Sequence, residues 1–202
     1  ASLAAAIRST AVMQRFAETL QTIVSGEISH MFRNGKKLDR ASYYHWIHAK
    51  TASLFELACE AAVMLGSGED DMIRAARKFG YEIGMAFQIV DDVLDFTGVQ
   101  TTLGKPVAND LRQSIVTLPT IYYLETHPDD PDAHSVIYCN EHSPETLERV
   151  IAAICQSEAI QKTMNEANVY LKRGLDALAE LPDTPERYEL ERLATQMVYR
   201  EM

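Results

Sequence analysis

The chain has 202 residues, of which 47% are hydrophobic and 24% charged, and its formal net charge is −10 at pH 7. This composition suits one domain, or at most two, with a substantial core, and excludes wholesale disorder. The acidic balance argues against a general nucleic-acid binder, which carries a basic face, but leaves small anionic substrates open because a bound cation can invert local charge. Cys59, Cys139 and Cys155 are an odd, widely spaced set, which predicts reduced thiols in a cytoplasmic setting rather than a disulfide frame or zinc site. No apolar run reaches the ~18–20 residues that span a bilayer. The start lacks the basic-then-apolar pattern of a signal peptide. It opens without Met in helix-like sequence, as a fragment of a longer protein would.

The elements predicted in chain order are all helices. Residues 2–33 read as one helix, interrupted near Gly26. Asn34-Gly35 is a turn, and Asp39 is the expected N-cap of a helix over 40–66 that ends at Gly66-Ser67-Gly68. A third helix runs from near Glu69 to Asp95 or Phe96, followed by a loop over 97–109 and a fourth helix over 110–125. Thr117-Leu118-Pro119 is expected to set packing and a kink. Residues 127–144 read as a surface excursion with one helical turn near 133–139. Helices over 144–155, 157–180 and 185–201 complete the chain, with Ser143-Pro144 as cap and first residue. No repeat, linker or period-2 alternation is visible, so residues 1–202 are expected to form a single all-α domain.

Gln88-Ile89-Val90-Asp91-Asp92-Val93-Leu94-Asp95 places three carboxylates and an amide in an otherwise apolar helix. Residues three and four apart share a helix face, so Asp91 and Asp95 should project side by side, with Gln88 one turn earlier and Asp92 beside them. Grouped carboxylates need a counter-charge, and a hard divalent cation with oxygen ligands supplies one. The competing reading is a helix C-terminus whose acids face water.

Lys50-Thr51 lies mid-helix at the edge of an apolar face. Lys50 there either snorkels to water or serves as a point charge for phosphate. Gly104 and Pro106 constrain the loop carrying Lys105, whose ammonium could reach a diphosphate near Asp91. Asp110 either caps the next helix or binds a metal-bound water. His30, in Gly26-Glu27-Ile28-Ser29-His30, reads first as a solvated or core residue and second as a ligand contact.

Four segments taken together, GEISHMF, KTASLFELACEAA, GMAFQIVDDVLDFTG and LGKPVANDLRQSIVTLPTIYYLE, resemble trans-isoprenyl diphosphate synthases in content, order and spacing. The similarity is greatest to the polyprenyl and geranylgeranyl branch and extends to Met197-Val198-Tyr199-Arg200. The resemblance implies an all-α bundle around a central cavity, a homodimer, and Mg²⁺-dependent condensation of an allylic diphosphate with isopentenyl diphosphate. It matches Asp91, Asp92 and Asp95 to the second aspartate-rich motif and Asp110 to an outer acid of the metal site. It matches Lys50 and Lys105 to lysines that clamp the allylic diphosphate, and Thr51 and Gln88 to oxygens facing the carbocation.

The departures are equally specific. The first aspartate-rich motif and its arginine pair do not occur. Gln113-Ser114-Ile115 stands where many members have Glu-Gly-Lys, and His30 replaces a frequent Gln. Two functions are therefore weighed: a prenyltransferase of which this chain alone has little activity, and a non-catalytic subunit that pairs with a complete synthase.

Overall fold

The computed structural model describes residues 8–31, 39–66, 68–98, 107–139 and 143–200. Their regular structure is helical throughout: α1 (Thr10–Met31), α2 (Arg40–Ile47), α3 (Ser53–Gly66), α4 (Asp70–Thr97), α5 (Asn109–Arg112), α6 (Leu118–Thr126), α7 (Pro131–His134), α8 (Pro144–Gln156), α9 (Ala159–Leu178) and α10 (Pro185–Val198). Wide π-helical turns, His48–Ala52 and Ser135–Cys139, join α2 to α3 and extend α7.

Side-chain caps set several starts. Asp39 accepts from the Ser42 N–H at 2.7 Å, Ser143 from Thr146 at 3.2 Å and Thr184 from Arg187 at 3.3 Å. Pro144 and Pro185 follow in first-turn positions, where the missing N–H costs nothing.

Four sequence expectations change. Helix α1 passes through Gly26 unbroken; a Cβ there would lie 2.4 Å from Ala49 Cβ, so the glycine lets α1 approach the π-turn. The expected 40–66 helix holds that π-turn inside it. The expected 110–125 helix is two helices, with Ser114 at φ +61° and Thr117 extended between them. Pro119 is the cause: it belongs in the first turn of α6, cannot continue a preceding helix, and kinks nothing. The 127–144 excursion is anchored rather than superficial, because Ala133 and Val136 are buried against Val150, Ile151 and Ile154.

Helix α4 is the axis of the molecule and packs chiefly on α3 and α9. Its period of apolar residues buries Phe79, Ile83, Ala86, Ile89, Val90 and Val93 in one cluster. Backbone meets backbone at Gly80 and Gly84: a Cβ on Gly84 would lie 2.6 Å from Ala52 Cα. This contact fixes α4 against the π-turn, so Gln88, one turn beyond Gly84, arrives beside Thr51.

Candidate functional site

Thr51 donates its hydroxyl hydrogen to Gln88 Oε1 at 2.7 Å. That bond orients the amide, and Gln88 Nε2 donates to Asp92 Oδ1 at 3.0 Å. The Tyr43 hydroxyl donates to Asp92 Oδ2 at 2.6 Å. The structure thus joins Tyr43, Thr51, Gln88 and Asp92 in one chain of hydrogen bonds, and leaves Gln88 Oε1 a second lone pair.

The three carboxylates of α4 part company. Asp92 is 1% exposed and faces the core, not a common surface with Asp91 and Asp95 as the sequence suggested. The reason is helical phase: Asp92 shares its face with Gln88, four residues earlier. Burial pushes the Asp92 carboxyl up to about 7; Tyr43 and Gln88 pull the other way, and the charges of Asp110 and Asp91 add to the rise. The Tyr43 hydroxyl rises well above its ordinary value through burial and the Asp92 charge.

Asp91 is exposed and pairs with Arg200, whose Nη2 lies 3.0 Å from Oδ1. The Arg200 guanidinium also covers the Phe87 ring at 4.6 Å. Asp95 caps α5: its Oδ1 accepts from the Asn109 N–H and its Oδ2 from the Asp110 N–H, both at 3.1 Å. The Ala108 N–H donates to the Asp95 carbonyl at 2.6 Å. Asp110 therefore does not fill the N-cap position, which belongs to Ala108 at φ +54°.

Lys50 is exposed in the π-turn, with Nζ 4.7 Å from the Trp46 ring centroid. Lys105 lies outside the described residues. His30 stacks on Trp46 with centroids 4.1 Å apart and planes 9° from parallel.

The donor set suits a hard cation by type, since Asp91, Asp92, Asp95 and Asp110 all offer carboxylate oxygen. The fields of Asp91 and Asp110 at Asp92 are the mutual repulsion that such a cation would relieve. In their present positions no three His, Cys, Asp or Glu among the described residues converge to hold a metal. Asp91 is engaged by Arg200, Asp92 by Tyr43 and Gln88, and Asp95 by backbone amides.

A match to the polyprenyl synthetase family covers residues 1–155. The chain belongs to the polyprenyl synthetase family. It is 32% identical over 181 residues to solanesyl-diphosphate synthase 1, mitochondrial, of Oryza sativa subsp. japonica, a match covering 89% of this chain and 41% of that protein. It is 33% identical over 178 residues to heptaprenyl diphosphate synthase component 2 of Bacillus subtilis (strain 168), covering 88% and 51%. Among solved structures, a polyprenyl synthase from Caulobacter crescentus CB15, complexed with calcium and isoprenyl diphosphate, superposes with a TM-score of 0.92 at 30% identity over 100% of this chain and 62% of that one. The chain spans about half the length of the curated relatives it matches.

For a polyprenyl synthetase chain, sequence reading missed Tyr43, Trp46 and Arg200. Tyr43 carries a faint signal, standing two turns before Lys50 in a helix. Arg200 carries none, because it meets Asp91 from 109 positions away.

Proposed function

We propose that the whole protein is a Mg²⁺-dependent prenyltransferase that joins an allylic prenyl diphosphate to isopentenyl diphosphate in isoprenoid biosynthesis. The observation that carries this reading is the Thr51–Gln88–Asp92–Tyr43 chain set beside Asp91 on α4, in a member of the polyprenyl synthetase family. Lys50 and Lys105 bind the allylic diphosphate. Asp91 would hold Mg²⁺ by its carboxylate, Asp92 and Asp95 would join it only on leaving their present hydrogen bonds, and Asp110 would stand as the outer acid. A metal held there would supply neutralisation of charge on the departing diphosphate. The allylic C–O bond breaks and its electron pair leaves with the diphosphate. The double bond of isopentenyl diphosphate attacks the carbocation, which the free lone pair of Gln88 Oε1 and the Thr51 oxygen face, and proton loss restores the alkene. Arg200 must release Asp91 when the cation binds.

We also read residues 1–202 as one helical unit of a cytoplasmic homodimer. Supporting this are the unpaired Cys59, Cys139 and Cys155 and an apolar stripe on α1. No helix among the described residues is long and apolar enough to cross a membrane. A second reading is a non-catalytic subunit of a heteromeric synthase; its heteromeric part is supported by the Bacillus subtilis relative, named as component 2 of its enzyme.

The test is incorporation of labelled isopentenyl diphosphate into longer prenyl chains by the whole protein with Mg²⁺. Asp91→Ala is expected to lower turnover by about 10²–10³-fold, as when one preorganised charge-stabilising group is removed, with unfolding unchanged. Unaltered turnover in Asp91→Ala would remove the metal assignment. Product formed only when a second, complete synthase is added would favour the subunit reading.

A further inference from the structure

Lys50 is the only lysine of the proposed diphosphate clamp within the described residues, and it is exposed. A free lysine side chain has four rotatable carbons and must give up most of that freedom to capture an anion. Here the freedom is already reduced. Trp46 stands one turn before Lys50, and its ring face holds the ammonium at 4.7 Å. The ring is itself held: it is 7% exposed, packed in the main core cluster, and stacked on His30 at 4.1 Å.

The choice of residue is informative. Trp46 Nε1 is buried with no hydrogen-bond partner among the described residues. A phenylalanine or leucine would fill much of this space without leaving a polar group stranded. What tryptophan adds is the strongest π face for a cation. The π-turn that begins two residues later gives Lys50 a backbone unlike the regular helix on either side.

We propose that Trp46, backed by His30, is a positioning residue that presents the Lys50 ammonium to a diphosphate ester. The proposal rests on the prenyl diphosphate reading of the site and adds a component to it. The ring shapes where the ammonium waits; Lys50 alone touches the ligand.

Trp46 is the sole tryptophan of the sequence, so it is also the reporter. The experiment uses the full chain, Mg²⁺ and inorganic pyrophosphate, with affinity from calorimetry and Trp46 emission followed in parallel. Pyrophosphate is expected to bind, to change Trp46 emission, and to do neither in Lys50→Met. Trp46→Leu is expected to weaken binding about 3- to 5-fold, and Trp46→Phe to recover most of the loss. Because a core substitution can unfold the chain, a second series keeps the shape: mono-, di- and trifluorotryptophan at position 46, which drain the π face stepwise. Affinity should fall with each fluorine. A flat fluorine series, or Trp46→Phe as weak as Trp46→Leu, overturns the proposal while the Lys50 dependence leaves the diphosphate site standing. Equal binding by Lys50→Met, or none by the parent chain, overturns the diphosphate reading and the positioning role with it.

Discussion

Glu82 lies where α4 meets α9, 8% exposed, with Oε2 buried and without a hydrogen-bond partner among the described residues. Burial raises its carboxyl above the ordinary range, against the pull of Arg173 and Lys78. The folded chain therefore keeps a proton that the unfolded chain gives up. Stability from this group is lost as pH climbs from the ordinary carboxylate value through the folded one. Glu82→Gln should be more stable than the parent by about 1 kcal/mol at pH 8 and indistinguishable at pH 4. Urea unfolding at both pH values checks this, and a gain that ignores pH would assign the effect to packing. At this scale the sequence displayed the chemistry of the site without its geometry. DDVLD announced its acids, yet only the phase of α4 against Tyr43 decides that Asp92 is buried and Asp91 exposed. The Asp91–Arg200 pair depends on where α10 ends up, which no local pattern records.

Helix existence was legible because the 3.6-residue apolar period of α4, α8 and α9 is strong, and Asp39 marks the start of α2 and Ser143-Pro144 that of α8 openly. Departures from regular helix were not legible, because they arise from contact. Nothing in His48-Ala49-Lys50-Thr51-Ala52 breaks a helix by propensity; the π-turn accompanies the approach of Gly26 to Ala49 and of Gly84 to Ala52. Gly84 is where that packing can be tested. In an open helix, Gly→Ala gains up to about 1 kcal/mol. Here the new methyl would meet Ala52 Cα at 2.6 Å, backbone that cannot swing aside. Gly84→Ala should therefore destabilise by about 1–3 kcal/mol and part Thr51 from Gln88. Gly66→Ala, with nothing within 4 Å, is the control and should be neutral or stabilising. Equal effects at the two sites would show that the π-turn and α4 do not touch so closely.

On the whole molecule, Leu20, Val24, Ile28 and Met31 recur at helical spacing on α1 and are 45%, 56%, 50% and 69% exposed. Such a stripe is a surface awaiting a neighbour. The chain should elute above its 22.7 kDa at micromolar concentration, and Leu20→Gln with Ile28→Gln should restore the monomer. Unfolding free energy should move by no more than about 0.5 kcal/mol, because Leu20 and Ile28 are about half exposed and the longer glutamine keeps its stem on the same surface. Light scattering reads the mass, and a parent that is already monomeric would remove the homodimer from the proposed function. The described residues form two core clusters, one around α4 and α9 and one beneath α8, and Asp95 sits at the junction, clasping the start of α5 by side chain and carbonyl. That clasp rivets the end of α4 to the start of α5 through a single residue. Removing the Asp95 carboxylate would draw that rivet, leaving two amides of α5 without their acceptor while each cluster keeps its own apolar contacts.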